Sequence, residues 1–155
     1  MFIKNFNIQE ENETKFLAEE ISKISKKGDV IAISGSMGSG KTTFIRYFIK
    51  KISKVKNVPS PSYNIILPYE SKHSIIYHMD VWRLKSYNEA LSLGITEIFD
   101  NAIFLIEWAE KIKAILPNNY LELSIKNLDK KKILEIKGDK IWANRLKRIK
   151  GNEKN

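Results

Sequence analysis

The chain of 155 residues contains no cysteine. That absence excludes a disulfide framework, a thiolate zinc site and a cysteine nucleophile. Histidine is scarce, with only His73 and His78, too few for a histidine-rich metal site. Arginine is scarce as well: Arg46, Arg83, Arg145 and Arg148 are the only four. Long apolar runs are missing. The longest stretch without a charged residue, 57–69, spans 13 residues and holds three prolines, whereas a membrane-spanning helix needs about 20 apolar residues. The opening Met1-Phe2-Ile3-Lys4-Asn5-Phe6 lacks the layout of a secretory signal. These absences predict a soluble intracellular protein of the cytoplasm, without membrane contact.

What is present reads as globular. Hydrophobic residues make up 43% and charged residues 29%, enough apolar content to bury a core at this length. Residues 1–150 are expected to form a single domain, with 151–155 a frayed tail. The net charge is +9, and 126–155 carry eleven Lys or Arg against four Asp or Glu. The basic excess is therefore a C-terminal property. Two readings stay open: a solvated lysine face, or contact with RNA or another acidic partner.

Periodicity orders the chain. The alternation over 2–8 predicts a strand, and 11–26 an amphipathic helix with Phe16, Leu17, Ile21 and Ile24 on one side. Glu10 or Asn12 is its expected start, and Gly28 follows its end. Val30-Ile31-Ala32-Ile33 predicts a buried parallel strand. A glycine-rich turn follows, then a helix over 41–54 with Phe44, Ile45, Phe48, Ile49 and Ile52 at helical spacing. Beyond the break at Pro59-Ser60-Pro61, 63–69 and 74–81 predict a hairpin. Residues 88–93 predict a short helix ended by Gly94, and 102–106 a buried strand. Residues 121–125 and 132–136 predict a second hairpin around 127–130, and 139–150 a last basic helix. The expected fold is α/β: a three-layer sandwich of the P-loop NTPase kind. Its central sheet is mixed, mostly parallel, with antiparallel hairpin additions.

Gly35-Ser36-Met37-Gly38-Ser39-Gly40-Lys41-Thr42 fits the pattern G-x-x-x-x-G-K-[ST] between a strand and a helix. In such a loop, backbone N–H groups and the positive end of the helix hold phosphate. Lys41 is expected to reach the β- and γ-phosphates, Thr42 to ligate Mg²⁺, and Thr43 to contact the α-phosphate. A phosphate-bound Mg²⁺ also needs a carboxylate at a neighbouring strand end. Two apolar runs end in one, at Asp80 and at Glu107, and the uninterrupted run before Glu107 makes it the better candidate. His78 fits no metal constellation and reads as a hydrogen-bonded structural histidine or a partner contact. Trp82 and Trp108 read equally well as core residues or as neighbours of the site.

Four segments together resemble one family. They are 35–43, Ser60-Pro61-Ser62-Tyr63, His78-Met79-Asp80-Val81-Trp82-Arg83-Leu84, and Ile106-Glu107-Trp108-Ala109-Glu110. They are similar to the bacterial TsaE (YjeE) family, the ATPase of tRNA threonylcarbamoyladenosine biosynthesis. That family carries G-x-x-G-x-G-K-T-T, S-P-T-[FY], H-x-D-x-Y-R-L and E-W-P-E in this order. Here Ser36-Met37 replaces an acidic residue plus Leu, Ser62 replaces Thr, Trp82 replaces Tyr and Ala109 replaces Pro.

The resemblance implies ATP and Mg²⁺ as ligands. It implies catalytic roles for Lys41, Asp80 and Glu107, and Mg²⁺ held by Thr42 and Glu107. The loop residues Gly35, Ser36, Met37, Gly38, Ser39, Gly40, Lys41, Thr42 and Thr43 would bind phosphate, with Glu11 and Lys132 near the base. The segment Ser60-Pro61-Ser62 and Asp80 resemble γ-phosphate switches. The implied partners are TsaD and TsaB, and tRNA indirectly or through the basic C-terminal region. Hydrolysis is expected to be slow alone, because only Arg83 of the four arginines lies in a motif. Two other functions fit parts of the pattern: a small-molecule P-loop kinase, and a basic RNA-binding module with a vestigial nucleotide site. The first lacks an arginine-rich lid, and the second lacks an RNA-recognition strand motif.

Overall fold

A computed structural model describes residues 1–150; the tail expected to fray, 151–155, lies outside the described residues. Seven strands form one sheet in the order β1-β7-β6-β2-β5-β4-β3. The strands are β1 (Phe2–Ile8), β2 (Val30–Gly35), β3 (Ile66–Glu70), β4 (Ile75–Asp80), β5 (Ala102–Glu107), β6 (Leu121–Leu128) and β7 (Lys131–Gly138). The centre is parallel: β2 pairs with β5 and β6, and β5 with β4. Both flanks are antiparallel, through the hairpins β3–β4 and β6–β7 and through β1 on β7. This is the expected mixed α/β architecture, with the hairpins outside the parallel core.

Burial on both faces explains the composition of the central strands. Every residue of β5 is buried, so its Ala-Ile-Phe-Leu-Ile run needs no polar alternation. On one face, α1 (Glu11–Ile24), α2 (Lys41–Ile52) and α5 (Lys140–Leu146) pack over Ile31, Ile33, Ile103, Leu105 and Leu123. On the other face, α3 (Tyr87–Ser92), α4 (Ile95–Ile98) and 3₁₀ turns at Phe99–Asn101 and Ala109–Ile115 cover Val30, Ala32, Phe104 and Ile106.

Several boundaries differ from expectation for local reasons. The first strand of the β3–β4 hairpin begins at Ile66 rather than 63. The Ile65 amide donates to Pro61 O at 2.6 Å, and Ile65 has φ 66°, which closes a turn where a strand was expected. The last helix ends at Leu146 rather than 150. Its start is well marked, since the Asp139 carboxylate accepts from the Trp142 amide at 3.0 Å. The second hairpin is longer than expected and turns at Asp129, whose φ is 52°. α1 starts after Glu10, and the Glu13 carboxylate accepts from the Glu10 amide at 3.1 Å. Phe16, expected on the buried stripe, is 40% exposed, while Leu17, Ala18 and Ile21 carry the contact. Arg145 ties α5 to the start of β2 through Asp29 at 2.6 Å. Burial nevertheless pushes the Asp29 carboxyl above the ordinary aspartate value, against the pull of Lys26 and Arg145.

Candidate functional site

The turn after β2 is shaped by its glycines. Gly35 has φ 151°, and a Cβ there would stand 2.6 Å from Ser39 Oγ and 2.9 Å from Ile125 O. No side chain fits that gap, so the loop can close tightly only with glycine. Gly38 and Gly40 also have positive φ, and Gly40 caps α2. The loop thus delivers the N-terminus of a 12-residue helix to the carboxyl ends of β2, β4 and β5. Open α/β sheets bind ligands at such strand ends.

Register and alternation place the carboxylates. Asp80 and Glu107 are direct register partners at the ends of β4 and β5. Side chains on a strand alternate faces, so His78 and Asp80 point to one side together. Ile76, Ile103 and Leu105 pack in the same core as α2, which makes this the α2 side. The Thr42 hydroxyl at the start of α2 donates to Glu107 Oε1 at 2.6 Å. His78 Nε2 meets Glu107 Oε2 at 2.7 Å, and both side chains are buried. Asp80 is held from elsewhere: Ser62 Oγ donates to Oδ2 at 2.8 Å and the Trp82 amide to Oδ1 at 2.9 Å.

Lys41 lies among these groups. Its Nζ donates to Gly35 O at 2.7 Å and Ser36 O at 2.8 Å. It also stands 4.0 Å from the centroid of the Trp108 ring. Burial lowers its affinity for the proton below that of an ordinary lysine, and the carboxylates of Glu107, Glu110 and Asp80 oppose that shift. Trp108 adopts φ 60°, a left-handed turn that aims its ring over the loop. Trp82 stacks on it at 4.3 Å between centroids, and Lys111 Nζ donates to the Trp82 carbonyl. Trp82 is 42% exposed, so the core reading of this residue fails. Both rings line the site, together with Met37, Lys41, Thr42, Ser62, Asp80 and Glu107, around a cavity of about 280 Å³.

A second cavity of about 480 Å³ adjoins the other side of the loop. Glu11, Thr14, Gly38, Gly40, Thr43 and Lys132 line it together with Asn127 and Asp129. Lys132 Nζ lies 3.7 Å from where a Gly40 Cβ would stand, which brings the β7 hairpin over the loop. Glu11 accepts a hydrogen bond from the Tyr47 hydroxyl at 2.8 Å. Ser36 Oγ accepts from the Asn127 amide at 3.5 Å, and Ser39 Oγ is buried without a protein partner. The candidate catalytic, phosphate and metal residues Lys41, Asp80, Glu107, Glu11, Lys132 and 35–43 therefore border one of two cavities flanking a single loop, or form the loop between them. Sequence reasoning missed Asn127 and Asp129 in the second cavity; it read His78 as a hydrogen-bonded structural histidine or a partner contact, and the bond to Glu107 bears out the first of these. The signal for His78 was there in its two-residue spacing from Asp80.

Among the described residues, no three or more of His, Asp and Glu are grouped so as to hold a bare metal ion. The donor set fits a different kind of cation. A hydroxyl and a buried carboxylate lie side by side at the glycine loop, and Mg²⁺ on a nucleotide takes only one or two carboxylates, its other positions going to phosphate and water.

The fold and this site define an α/β protein of the P-loop NTPase kind, with strand, glycine loop and helix in sequence. The family model described as threonylcarbamoyl adenosine biosynthesis protein TsaE matches residues 8–134. The chain is 37% identical over 128 residues to the tRNA threonylcarbamoyladenosine biosynthesis protein TsaE of Rickettsia felis, covering 82% of this chain and 75% of that protein. It is 37% identical over 115 residues to the protein of the same name from Bacillus subtilis, covering 74% of this chain and 72% of that one. The crystal structure of YdiB from Bacillus subtilis superposes with a TM-score of 0.78 at 27% identity, covering 94% of this chain and 93% of that one. The chain belongs to the TsaE family.

Proposed function

We propose that this protein binds and hydrolyses Mg-ATP in the threonylcarbamoyladenosine modification of tRNA, and that its nucleotide state switches a TsaD–TsaB complex. The observation that carries this reading is the buried Glu107 carboxylate, hydrogen-bonded by Thr42 at the foot of the phosphate loop. A buried carboxylate without a cation beside the loop is costly, and Lys41 and a nucleotide-borne Mg²⁺ supply the charge it lacks.

The roles follow from the geometry. The amides of 35–43 and the N-terminus of α2 would take the phosphates. Lys41 would exchange the carbonyls of Gly35 and Ser36 for phosphate oxygens. Thr42 and Glu107 would hold Mg²⁺, which when bound neutralises charge on the β- and γ-phosphates. Asp80 would orient the attacking water. Its hydrogen bonds to Ser62 and Trp82 link that role to the 60–63 segment and to the exposed ring of Trp82. Glu11 and Lys132 would border the nucleoside in the larger cavity.

Hydrolysis by the chain alone is expected to be slow. Arg46 donates to Val58 O, Arg145 pairs with Asp29, and Arg83 lies 4.3 Å over the Tyr63 ring. None of the arginines lines the smaller cavity, so a cation for the γ-phosphate would come from the partner. We place the protein in the cytoplasm, with tRNA reached indirectly or through the basic C-terminal region. Among the described residues no helix is long and apolar enough to cross a membrane.

The test is phosphate release from Mg-ATP, with and without TsaD–TsaB, for the native chain and Glu107→Ala. Slow release alone, a rise with the partners and loss in the variant are expected. Brisk release with no effect of the partners would overturn the switch. Phosphate transferred to a small acceptor instead of water would replace it with a kinase.

A further inference from the structure

We propose that His78 is a positioning residue for Glu107, holding one carboxylate oxygen so that the other faces Thr42 and the cation site; the inference rests on the Mg-ATP reading above. His78 is 0% exposed and Glu107 2% exposed, so their bond is made within the protein interior at the edge of the cavity. The two oxygens of Glu107 are divided between two donors. Oε1 accepts from Thr42 at 2.6 Å, and Oε2 lies 2.7 Å from His78 Nε2. Nδ1 of His78 has no hydrogen-bond partner among the described residues. The Nε2 atom must therefore carry a proton, since two facing acceptors would repel.

His78 is a poor choice for packing alone. Its register partners are Leu67 on β3 and Leu105 on β5. An aliphatic side chain would fill this setting without burying a polar nitrogen that finds no partner. What imidazole supplies is one N–H aimed at Oε2. Thr42 cannot hold the carboxylate by itself, because its hydroxyl would turn toward a bound cation. With Oε2 held by His78, Glu107 keeps its orientation while Oε1 is released. Groups that orient ligating carboxylates in this way commonly change metal affinity about 10–100-fold when removed.

The experiment measures ATP affinity by calorimetry, in Mg²⁺ and in EDTA, for the native chain, His78→Leu, His78→Gln and Glu107→Gln. In the native chain Mg²⁺ is expected to tighten ATP binding, and Glu107→Gln to lose that gain. His78→Leu is expected to lose about tenfold or more of the gain with affinity in EDTA unchanged. His78→Gln, which keeps an amide donor, restores most of it. A full gain in His78→Leu, an equal loss with and without Mg²⁺, or no rescue by Gln would overturn the proposal and leave the Mg-ATP reading intact. No gain in the native chain would remove both.

A second readout does not depend on the His78 variants folding. With only two histidines in the chain, ¹⁵N spectra assign the His78 ring directly. An Nε2–H signal that shifts in Glu107→Gln supports the bond. A ring protonated at Nδ1 alone would sink it.

Discussion

On one face of the sheet, α1, α2 and α5 lay three amphipathic helices over Ile31, Ile33, Ile103 and Leu105, and Phe44, Phe48 and Trp142 fill the space between. On the other, the cover is α3, α4 and two 3₁₀ turns, with Ala32, Ala90, Ala102 and Ala109 at the contacts. The first arrangement anchors α2 and therefore the phosphate loop and Thr42. The second carries the turns after β4 and β5, where Trp82 and Trp108 rim the smaller cavity through a few hydrogen bonds and a ring stack. The same division separates the two carboxylates. Glu107 is held by the buried His78, while Asp80 is tied to the half-buried Ser62 in the 60–63 loop. The floor of the site rests on the packed core, and its rim rests on a few loop contacts.

This contrast is broken or sharpened by substitutions on each side. The largest effect belongs to the helix-covered face. Phe48→Ala is expected to cost about 3–5 kcal/mol by chemical denaturation. Leu84→Ala, on the thinly covered face, should cost nearer 2 kcal/mol, the low end for Leu→Ala. Equal losses would mean that the two faces are equally well packed.

Lys41→Ala comes next. It should reduce ATP turnover about a hundredfold, near 2.7 kcal/mol in the barrier, with a Tm loss well below that of Phe48→Ala, because removing a desolvated cation offsets part of the two lost hydrogen bonds and the charge taken from beside Glu107. A Tm loss as large as that of Phe48→Ala would make Lys41 a structural residue instead.

Asp80→Ala should destabilise by about 1–3 kcal/mol, as hydrogen bonds to a charged acceptor do. Amide exchange should rise around 60–65 and 82–84 while α2 stays protected. Uniform exchange across the chain would erase the distinction between floor and rim.

The smallest effect lies far from the site. Glu135 forms ion pairs with Lys126 and Lys137, each at 3.0 Å. The bonds from Lys137 and then Lys126 hold its carboxyl below the ordinary glutamate value. A depressed carboxylate stabilises the fold above its unfolded pKa, and that support is lost as pH falls through the folded value. Glu135→Gln should cost under about 1 kcal/mol at neutral pH, and the difference from the native chain should vanish in acid. A difference independent of pH would mean that packing, not charge, is what Gln alters.

The sequence by itself determined what depends on local spacing. Glycines at 35, 38 and 40 between an apolar run and an amphipathic helix mark a tight strand-to-helix turn, because its backbone angles favour glycine over other residues. The two-residue step from His78 to Asp80 places both on one face, whatever the strand pairs with. Boundaries were less legible, since the turn at Ile65 and the end of α5 depend on hydrogen bonds that periodicity does not encode. The tertiary structure alone decided the rest. It put β5 between β2 and β4, and so brought Glu107 beside Asp80, Thr42 and His78. It turned Trp108 over Lys41 and folded Lys132 above Gly40 from more than ninety residues away. Strand order follows from which buried faces find each other, a long-range choice that a local pattern of apolar and polar residues leaves open.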